Sequence, residues 1–312
     1  MYLSLWARCF YYFALFTIFC HYAKENTDKK AYPMSNNIQN YYDANTKRFL
    51  RFGHGGKALA IHRAVWAEGV KTRSEAMQYI NSLIEEQIRK QSAAQIVDIG
   101  CGIGGSMVQL HNKTGASAVG ITISPVQSTL GRKLLNSEGL EDVCRIISGN
   151  FLTDRIRDAS GERFDLAYAV ESFLHMERAE AFFQKCSEVI EHQGTLILCD
   201  DFLNNNAISG KKDRDLLERV RKGWHAVNLL PIKQVKEKAS AFGFTLTEEK
   251  DLTPFLELGR PRDKVINMLL HIAPRFLFRF PFWQNLSGGD ALQKLLSSGV
   301  LSYRFVVFKY QP

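Results

Sequence analysis

The sequence has 312 residues, of which 46% are hydrophobic and 23% are charged, and this balance excludes a chain that is disordered throughout. The formal net charge is +8, but no RNA-binding motif accompanies it, so no nucleic-acid partner is predicted. The surplus instead favours anionic substrates or a membrane surface. The six cysteines show neither C-x-x-C pairs nor metal-ligand spacing. This predicts free thiols in a reducing, cytoplasmic setting and no metal site.

The first 33 residues differ from the rest in composition. Residues 1–22 are mostly apolar, and the basic residues Lys24, Lys29 and Lys30 follow them. Within it, the uncharged run from Cys9 to Cys20 is short for a membrane-spanning helix, which needs about 20 residues, although residues 1–7 could extend it. The segment could also lie in a membrane interface. Two interpretations stay open. Residues 1–33 are either a hydrophobic segment that associates with a membrane and leaves the body in the cytoplasm, or a non-native extension before a start at Met34.

Residues 34–92 are predicted to form a helical N-terminal cap. After Ser74, apolar residues recur at the spacing of an amphipathic helix: Met77, Ile80, Leu83, Ile84 and Ile88. This helix leads directly to the first buried strand.

The first strand and the turn after it form the most informative motif. Residues 96–99 are a short, mainly apolar run typical of a buried parallel strand, and Asp98 stands near its end. Glycines at the following strand-to-helix turn, with Gly100 and Gly102 foremost, let backbone N–H groups approach an anionic ligand. The string also fits the dinucleotide motif G-x-G-x-x-G. That motif expects an acid about 20 residues later, where the second strand ends in Thr122 instead.

Beyond this turn, strand and helix patterns alternate, which is typical of a parallel sheet with right-handed crossovers. Further strands are predicted at Ala118–Thr122, Cys144–Ser148, Phe164–Ala169, Thr195–Asp200, Thr245–Leu252 and Tyr303–Lys309. We therefore expect an α/β fold with a Rossmann-like seven-stranded sheet and helices on both faces. Residues 93–252 form its core, residues 253–302 a substrate-side insertion that acts as a cap, and residues 303–312 the final strand.

The stretch from Asp98 to Gly102 resembles the D-x-G-x-G motif of class I S-adenosylmethionine-dependent methyltransferases. Gly120 to Gln127 resembles the corresponding stretch of cyclopropane fatty acid synthases and tocopherol methyltransferases. Tyr41-Tyr42-Asp43 resembles the opening segment of sterol and isoprenoid C-methyltransferases. The sequence is thus similar to this branch of methyltransferases over about residues 41–201. The resemblance implies S-adenosylmethionine as the cofactor and an antiparallel last strand.

The resemblance also implies roles for individual residues at the cofactor site, beside Asp98, Gly100 and Gly102. Thr122 and Gln127 stand where these relatives hold the ribose hydroxyls, and neutral side chains can each bond a hydroxyl. Tyr41 stands where an aromatic ring closes over the cofactor. The adenine is framed at the positions held by Asn150 and Phe151.

Two candidate catalytic residues follow the fourth strand, at the edge where ligands of such sheets bind. Glu171 could stabilise a cationic intermediate or remove a proton, although capping a helix is its structural alternative. His175 matches a histidine of the cyclopropane synthases and could serve as a base. Leu174 stands where those enzymes have a glutamate that helps to hold bicarbonate, so we predict methyl transfer without ring closure.

The predicted function is methyl transfer from S-adenosylmethionine to a small lipid-like or isoprenoid acceptor, with C-methylation favoured and O-methylation possible. The alternatives are a nicotinamide-dependent oxidoreductase and a membrane-associated cofactor-binding protein without activity. The predicted partners are a hydrophobic or amphipathic substrate and a membrane surface, and no oligomeric state is assigned. Arg260–Trp283 interleaves cations with aromatic residues. This pattern fits either a membrane interface or a lid whose aromatic rings fold inward.

Overall fold

One mixed sheet organises the described part of the chain. The structure is a computed structural model, and it describes residues 42, 43, 46, 62–157, 161, 163–205 and 207–312. In these ranges the strands are β1 Gln95–Ile99, β2 Ser117–Thr122, β3 Cys144–Ser148, β4 Phe164–Val170, β5 Ile190–Leu203, β6 Phe244–Asp251 and β7 Leu301–Tyr310. Their order is β3-β2-β1-β4-β5-β7-β6, and β7 is antiparallel to both neighbours. The predicted α/β fold with a seven-stranded sheet is confirmed.

The fifth strand is longer than its apolar run predicts. The sequence pattern indicates Thr195–Asp200, whereas β5 extends from Ile190 to Leu203. Two pairings account for the extension: Ile190 pairs with Phe164 of β4 at the start of the strand, and β7 pairs with β5 continuously from Thr195 to Leu203 towards its end. The paired acids Asp200 and Asp201 therefore lie within the strand rather than in a turn.

The helices begin where local signals place them. They are α1 Arg73–Gln91, α2 Gly105–Thr114, α3 Pro125–Ser137, α4 Ala179–Val189, α5 Lys211–Trp224, α6 Ile232–Ser240, α7 Pro261–Ile272 and α8 Pro281–Ser297. Thr72 caps α1 in a reciprocal capping box with Glu75. Ser124 caps α3, and Pro125 occupies its first position, as the sequence predicts.

Apolar side chains fill both faces of the sheet. On one face, Ile80 of α1, Val220 of α5 and Leu292 of α8 belong to a single buried cluster. On the other face, Phe182 of α4 and Val235 of α6 belong to a second cluster. Because both faces are covered, the central strands are buried almost throughout. Cys101, Cys144, Cys186 and Cys199 are buried free thiols, as predicted.

The topology brings the functional candidates to one edge. The carboxyl ends of β1, β2, β4 and β5 lie side by side, and the strand order reverses between β1 and β4, which is where such sheets bind ligands. The backbone before α1 is fixed there by a bridge from Val65 to Leu256 and by the 2.8 Å bond from Trp66 N to the Phe255 carbonyl. This places Arg63 over the same edge.

Residues 253–302 contain two helices with different surroundings. In α8, Ala291, Leu292 and Leu295 are buried in the first apolar cluster, whereas α7 has no buried residue. None of the helices in the described ranges combines the length and the apolarity needed to cross a bilayer. Residues 1–33 lie outside those ranges.

Candidate functional site

Asp98 is a buried acid at the end of β1. Its side chain is on the same face as that of Tyr168, its partner on β4, and only 4% of Asp98 is exposed. Burial raises the pKa of Asp98 to about 7, against a smaller opposite effect of the neighbouring Tyr168 hydroxyl. A carboxylate held in this way gains from a positively charged or hydrogen-bond-donating ligand.

The glycines after Asp98 are required for two different reasons. Gly100 has φ +89°, and a Cβ there would lie 2.4 Å from the Cβ of Ser172, so packing against the end of β4 requires glycine. Gly102 has φ +56°, and no atom lies within 4 Å of the position of a Cβ. The space beside Gly102 is therefore open to a ligand. The N-terminus of α2 at Gly104 has no side-chain cap, so its N–H groups can bind an anionic group.

The end of β2 carries a compact polar network instead of an acid of its own. The Thr122 hydroxyl lies 2.7 Å from Oε1 of Gln127, and both side chains are buried. Ser124, which caps α3, also bonds the carboxylate of Asp43. Asp43 thus brings a carboxylate close to the end of β2, near where a dinucleotide-binding site carries an acid on the strand itself. The predicted pair Thr122 and Gln127 is brought together, and its contact with ribose hydroxyls stays a prediction.

Asn150 and Phe151, predicted to frame the adenine, follow β3. The side-chain oxygen of Asn150 accepts the backbone N–H of Leu152 at 3.0 Å, which leaves its NH₂ group as the more available donor. Phe151 is 3% exposed and packs against Phe182, with ring centroids 5.6 Å apart. Its ring belongs to the apolar core, and contact with a purine stays a prediction.

Glu171 lies at the centre of a polar cluster beyond β4. Its backbone has φ +50°, a conformation that is uncommon for a residue with a side chain. Oε1 accepts the backbone N–H of Arg63 at 3.0 Å and the hydroxyl of Tyr303 at 2.8 Å. Both hydrogen bonds that the Glu171 carboxylate accepts within the described ranges use Oε1, so Oε2 has no donor among those residues. Glu171 caps no helix.

Arg63 joins Glu171 to the acids of β5. Its guanidinium pairs with both carboxylate oxygens of Asp201, at 2.7 and 2.5 Å, and its Nε lies 3.7 Å from Oε1 of Glu171. Its carbon Cζ lies 4.6 Å from the centre of the Tyr303 ring, a favourable cation–π distance. Asp201 therefore neutralises the charge of Arg63 through a bidentate ion pair, and the ring of Tyr303 helps to hold the guanidinium in place.

The charges of this cluster do not balance. Arg63 supplies one positive charge against the carboxylates of Glu171 and Asp201. Burial and the charge of Asp201 raise the pKa of Asp200 well above its usual range, so Asp200 binds a proton more readily than an exposed carboxyl. Among the described residues of the cluster, the carboxylates of Glu171 and Asp201 thus outnumber the one guanidinium, which favours a cation beside them.

His175 is held as a neutral, weakly basic ring. Its Nδ1 lies 3.2 Å from the carbonyl of His225 and must donate to it, so Nε2, 2.8 Å from the Tyr42 hydroxyl, is the acceptor. Burial lowers the pKa of His175 to about 4. The surroundings of His175 do not favour its predicted role as a base, because the lone pair of Nε2 already accepts a hydrogen bond from the Tyr42 hydroxyl. The role stays a prediction.

The structure brings together residues that the sequence did not single out. Arg63 and Tyr303 carry no motif, and both come to Glu171 from more than 100 positions away. Tyr42 and Asp43, which belong to the segment quoted in the sequence analysis, contact His175 and Ser124 respectively. Tyr41, predicted to close over the cofactor, lies outside the described residues.

A wide cleft opens beside the cluster. It has a volume of about 1560 Å³, and its lining includes Arg63, Trp224, Leu256 and Leu286 together with residues of α7. The Trp224 ring lies 6.0 Å from Cζ of Arg63, and its Nε1 donates to the Asn285 carbonyl at 3.3 Å. Trp224 therefore both joins α5 to α8 and faces the cleft. The mixture of apolar and charged lining suits an amphipathic molecule.

The strand order and the turn after Asp98 define the fold of class I S-adenosylmethionine-dependent methyltransferases. The chain belongs to the mycolic acid cyclopropane synthetase family, whose model matches residues 29–256. This membership confirms the resemblance drawn from the sequence and gives no support to a nicotinamide-dependent oxidoreductase.

The individual relatives agree with this family. The chain is 26% identical over 184 residues to the 24-methylenesterol C-methyltransferase 2 of Arabidopsis thaliana, covering 58% of this chain and 50% of that protein. It is 36% identical over 129 residues to a probable chloroplastic tocopherol O-methyltransferase of Oryza sativa subsp. japonica, covering 40% and 35%. The chain therefore spans half or less of the length of these relatives. The cyclopropane synthase MmaA2 of Mycobacterium tuberculosis shares the fold, with a TM-score of 0.70 at 18% identity over 90% of this chain and all of the other.

Proposed function

We propose that this protein transfers the methyl group of S-adenosylmethionine to a carbon atom of a small lipid-like or isoprenoid acceptor. The observation that carries the proposal is the position of the Glu171 cluster. Ser172 packs on Gly100, so the cluster lies directly against the glycine turn that would hold the cofactor. A cation-stabilising group is thereby adjacent to the place where a methyl group would be donated.

The residues around the turn fit the cofactor by their chemistry. Asp98 would bind a donor or cationic group of S-adenosylmethionine, the open space at Gly102 would accept its chain, and Thr122 with Gln127 would bind its hydroxyls. When bound, the cofactor supplies an electrophilic methyl group on a sulfonium. The protein contributes by positioning the acceptor in line with that group, which is the largest effect expected for such a displacement.

Carbon is favoured over oxygen as the acceptor atom because the negative charge of the Glu171 cluster suits a cationic intermediate, and because His175, the candidate base for a hydroxyl, is already engaged. Methylation of a hydroxyl needs a group that takes its proton, and the lone pair of His175 already accepts from Tyr42. An alkene carbon needs no proton removal before it attacks, and its methylation leaves a carbocation. The excess negative charge of Glu171 and Asp201 would stabilise that cation, and Oε2 of Glu171 could afterwards accept a proton from it.

The test uses two neutral variants of half-buried carboxylates. Glu171→Gln keeps a hydrogen-bond acceptor for Arg63 and Tyr303 but removes the charge. We expect kcat to fall by roughly 100-fold or more, with the affinity for S-adenosylmethionine changed by no more than about three-fold. Glu249→Gln removes the charge of an acid on β6 that pairs with Lys236 and Arg304, and it should leave kcat unchanged.

Two readouts separate the parts of the proposal. Mass spectrometry with fragmentation of the product locates the added methyl group, and a methyl ether or ester would refute C-methylation. A Glu171→Gln variant that keeps its kcat would refute the cation-stabilising role. Association with a membrane through residues 1–22 also stays a proposal, since those residues lie outside the described ranges.

A further inference from the structure

Helix α7 exposes one continuous apolar face. Val265, Met268, Leu269 and Ile272 recur at the spacing of a single helical stripe, and they are 51%, 57%, 41% and 72% exposed. Phe276, in the short helix Arg275–Arg279 that follows, is 56% exposed. We refer to these five residues as the α7 face. Single exposed apolar residues are common on proteins, but a contiguous stripe marks an interaction surface.

The charged residues around the α7 face are nearly all positive. Lys264, Arg275 and Arg279 are exposed, and none of them forms an ion pair with a carboxylate in the described ranges. Asp263 is the single acid between Arg260 and Trp283, and it is engaged at the start of α7 with Arg260 and Arg262. The α7 face is thus an apolar surface bordered by free cations.

The opposite side of the same helix lines the cleft. Asp263, Ile266, Asn267 and His271 belong to the cleft wall, and on a helix these positions point away from residues 265, 268, 269 and 272. Lys264, which lies between the two sides of the helix, also lines the cleft. Helix α7 therefore separates the α7 face from the cleft that leads to Arg63. A molecule held against the α7 face is separated from the cleft by the width of this helix.

We propose that the α7 face docks on the surface of a bilayer that contains anionic lipids. The apolar side chains enter the level of the acyl chains, while Lys264, Arg275 and Arg279 contact the headgroups through their long stems. Docking in this orientation places the wall of the cleft that α7 forms next to the membrane. The docking itself does not require the proposed methyl transfer.

The charge pattern selects a bilayer over a second copy of the chain. A symmetric dimer through the α7 face would bring the same cations together from both copies, whereas anionic headgroups complement them. Of the two sequence interpretations of Arg260–Trp283, this favours the interface. Phe278, Phe282 and Trp283 are half-buried, and the Trp283 ring packs against each of the two phenylalanine rings.

The experiment compares binding of the full chain to vesicles. Vesicles of phosphatidylcholine with about one third phosphatidylserine are co-sedimented with the wild type and with the triple variant Met268→Gln, Leu269→Gln, Ile272→Gln. Gln matches these residues in helix propensity and leaves a surface helix intact, which circular dichroism verifies. Val143→Gln, at an exposed apolar residue outside α7, is the matched control. We expect the triple variant to partition at least about ten-fold more weakly and the control to partition like the wild type.

Three further measurements locate the contact. Anionic vesicles should protect the amides of residues 261–279 from hydrogen exchange and leave residues 141–150 unchanged. Added salt should weaken binding, because exposed charges are screened within about 8–10 Å. Equal binding of wild type and triple variant, or an absence of protection in α7, would overturn the proposal and assign binding to another part of the chain. Self-association without vesicles that the triple variant abolishes would also overturn it, in favour of a second copy.

Discussion

Replacing Asp98 by Asn removes the ionisation of a buried acid with little change in shape. The pKa of Asp98 is raised from 3.8 to about 7 by burial. Each unit of difference between folded and unfolded states corresponds to 1.36 kcal/mol, so the ionised carboxylate costs the folded protein about 4 kcal/mol. Without cofactor, the Asp98→Asn variant should be more stable than the wild type by up to this amount above about pH 7.

The stability difference between the Asp98→Asn variant and the wild type should depend on pH. Because the folded pKa is the higher one, the unfolded chain releases its proton first, and wild-type stability falls as the pH rises from about 4 to about 7. The advantage of the variant should therefore be small near pH 4, full near pH 8 and constant beyond. Urea unfolding at these pH values measures it. Asp142→Asn, at an exposed carboxylate, is the control and should show no such widening.

The same variant should bind the cofactor less tightly. A charge-assisted hydrogen bond contributes about 1.5–3 kcal/mol, so calorimetry should show a loss in S-adenosylmethionine affinity of roughly ten- to hundred-fold. A variant that gains stability and loses affinity has lost a charge that binds the ligand but costs free energy when it is buried without one. Unchanged affinity, or equal stability of wild type and variant near pH 8, would refute this account of Asp98.

Three more predictions follow from other contacts. Gly288→Ala should lower the free energy of unfolding by about 1–3 kcal/mol, and with it the melting temperature, because its Cβ would lie 3.0 Å from Cα of Gly223. Gly289→Ala should instead raise the melting temperature through helix propensity, because the atom nearest to its Cβ is 3.7 Å away. The reverse order in thermal melts would refute this packing. Gly102→Ala should weaken cofactor binding in calorimetry, because φ is +56° and the space is open. Since the pKa of His175 is about 4, kcat should show no histidine ionisation between pH 6 and 8, and a step that His175→Gln removes would contradict its neutral state.

The fold follows from the sequence because its signals are local. Strand β1, the glycine turn and the cap at Ser124 each lie within a few residues, and the alternation of strands and helices specifies a parallel sheet. Asp98 could be recognised for the same reason. The extension of β5 could not, because it depends on pairing with β7 about 100 positions later in the chain.

The polar cluster was only partly predictable. Glu171 could be singled out because it directly follows a predicted strand at the ligand-binding edge of the sheet. Arg63 lies in no recognisable pattern and reaches Asp201 only in the complete fold. Likewise, the sequence could not reveal that Phe151 turns to the core or that the lone pair of His175 is engaged by Tyr42. These facts depend on side-chain direction and on contacts between distant segments, which residue spacing does not encode.

The central claim is tested most directly by the transfer of a labelled methyl group. The full chain is incubated with methyl-labelled S-adenosylmethionine and a total lipid extract, and the label is followed into the organic phase. Wild type should transfer label into a lipid, Glu249→Gln should do the same, and Glu171→Gln should transfer roughly 100-fold less. Label that stays entirely on the cofactor, although the protein binds it, would contradict the proposed activity.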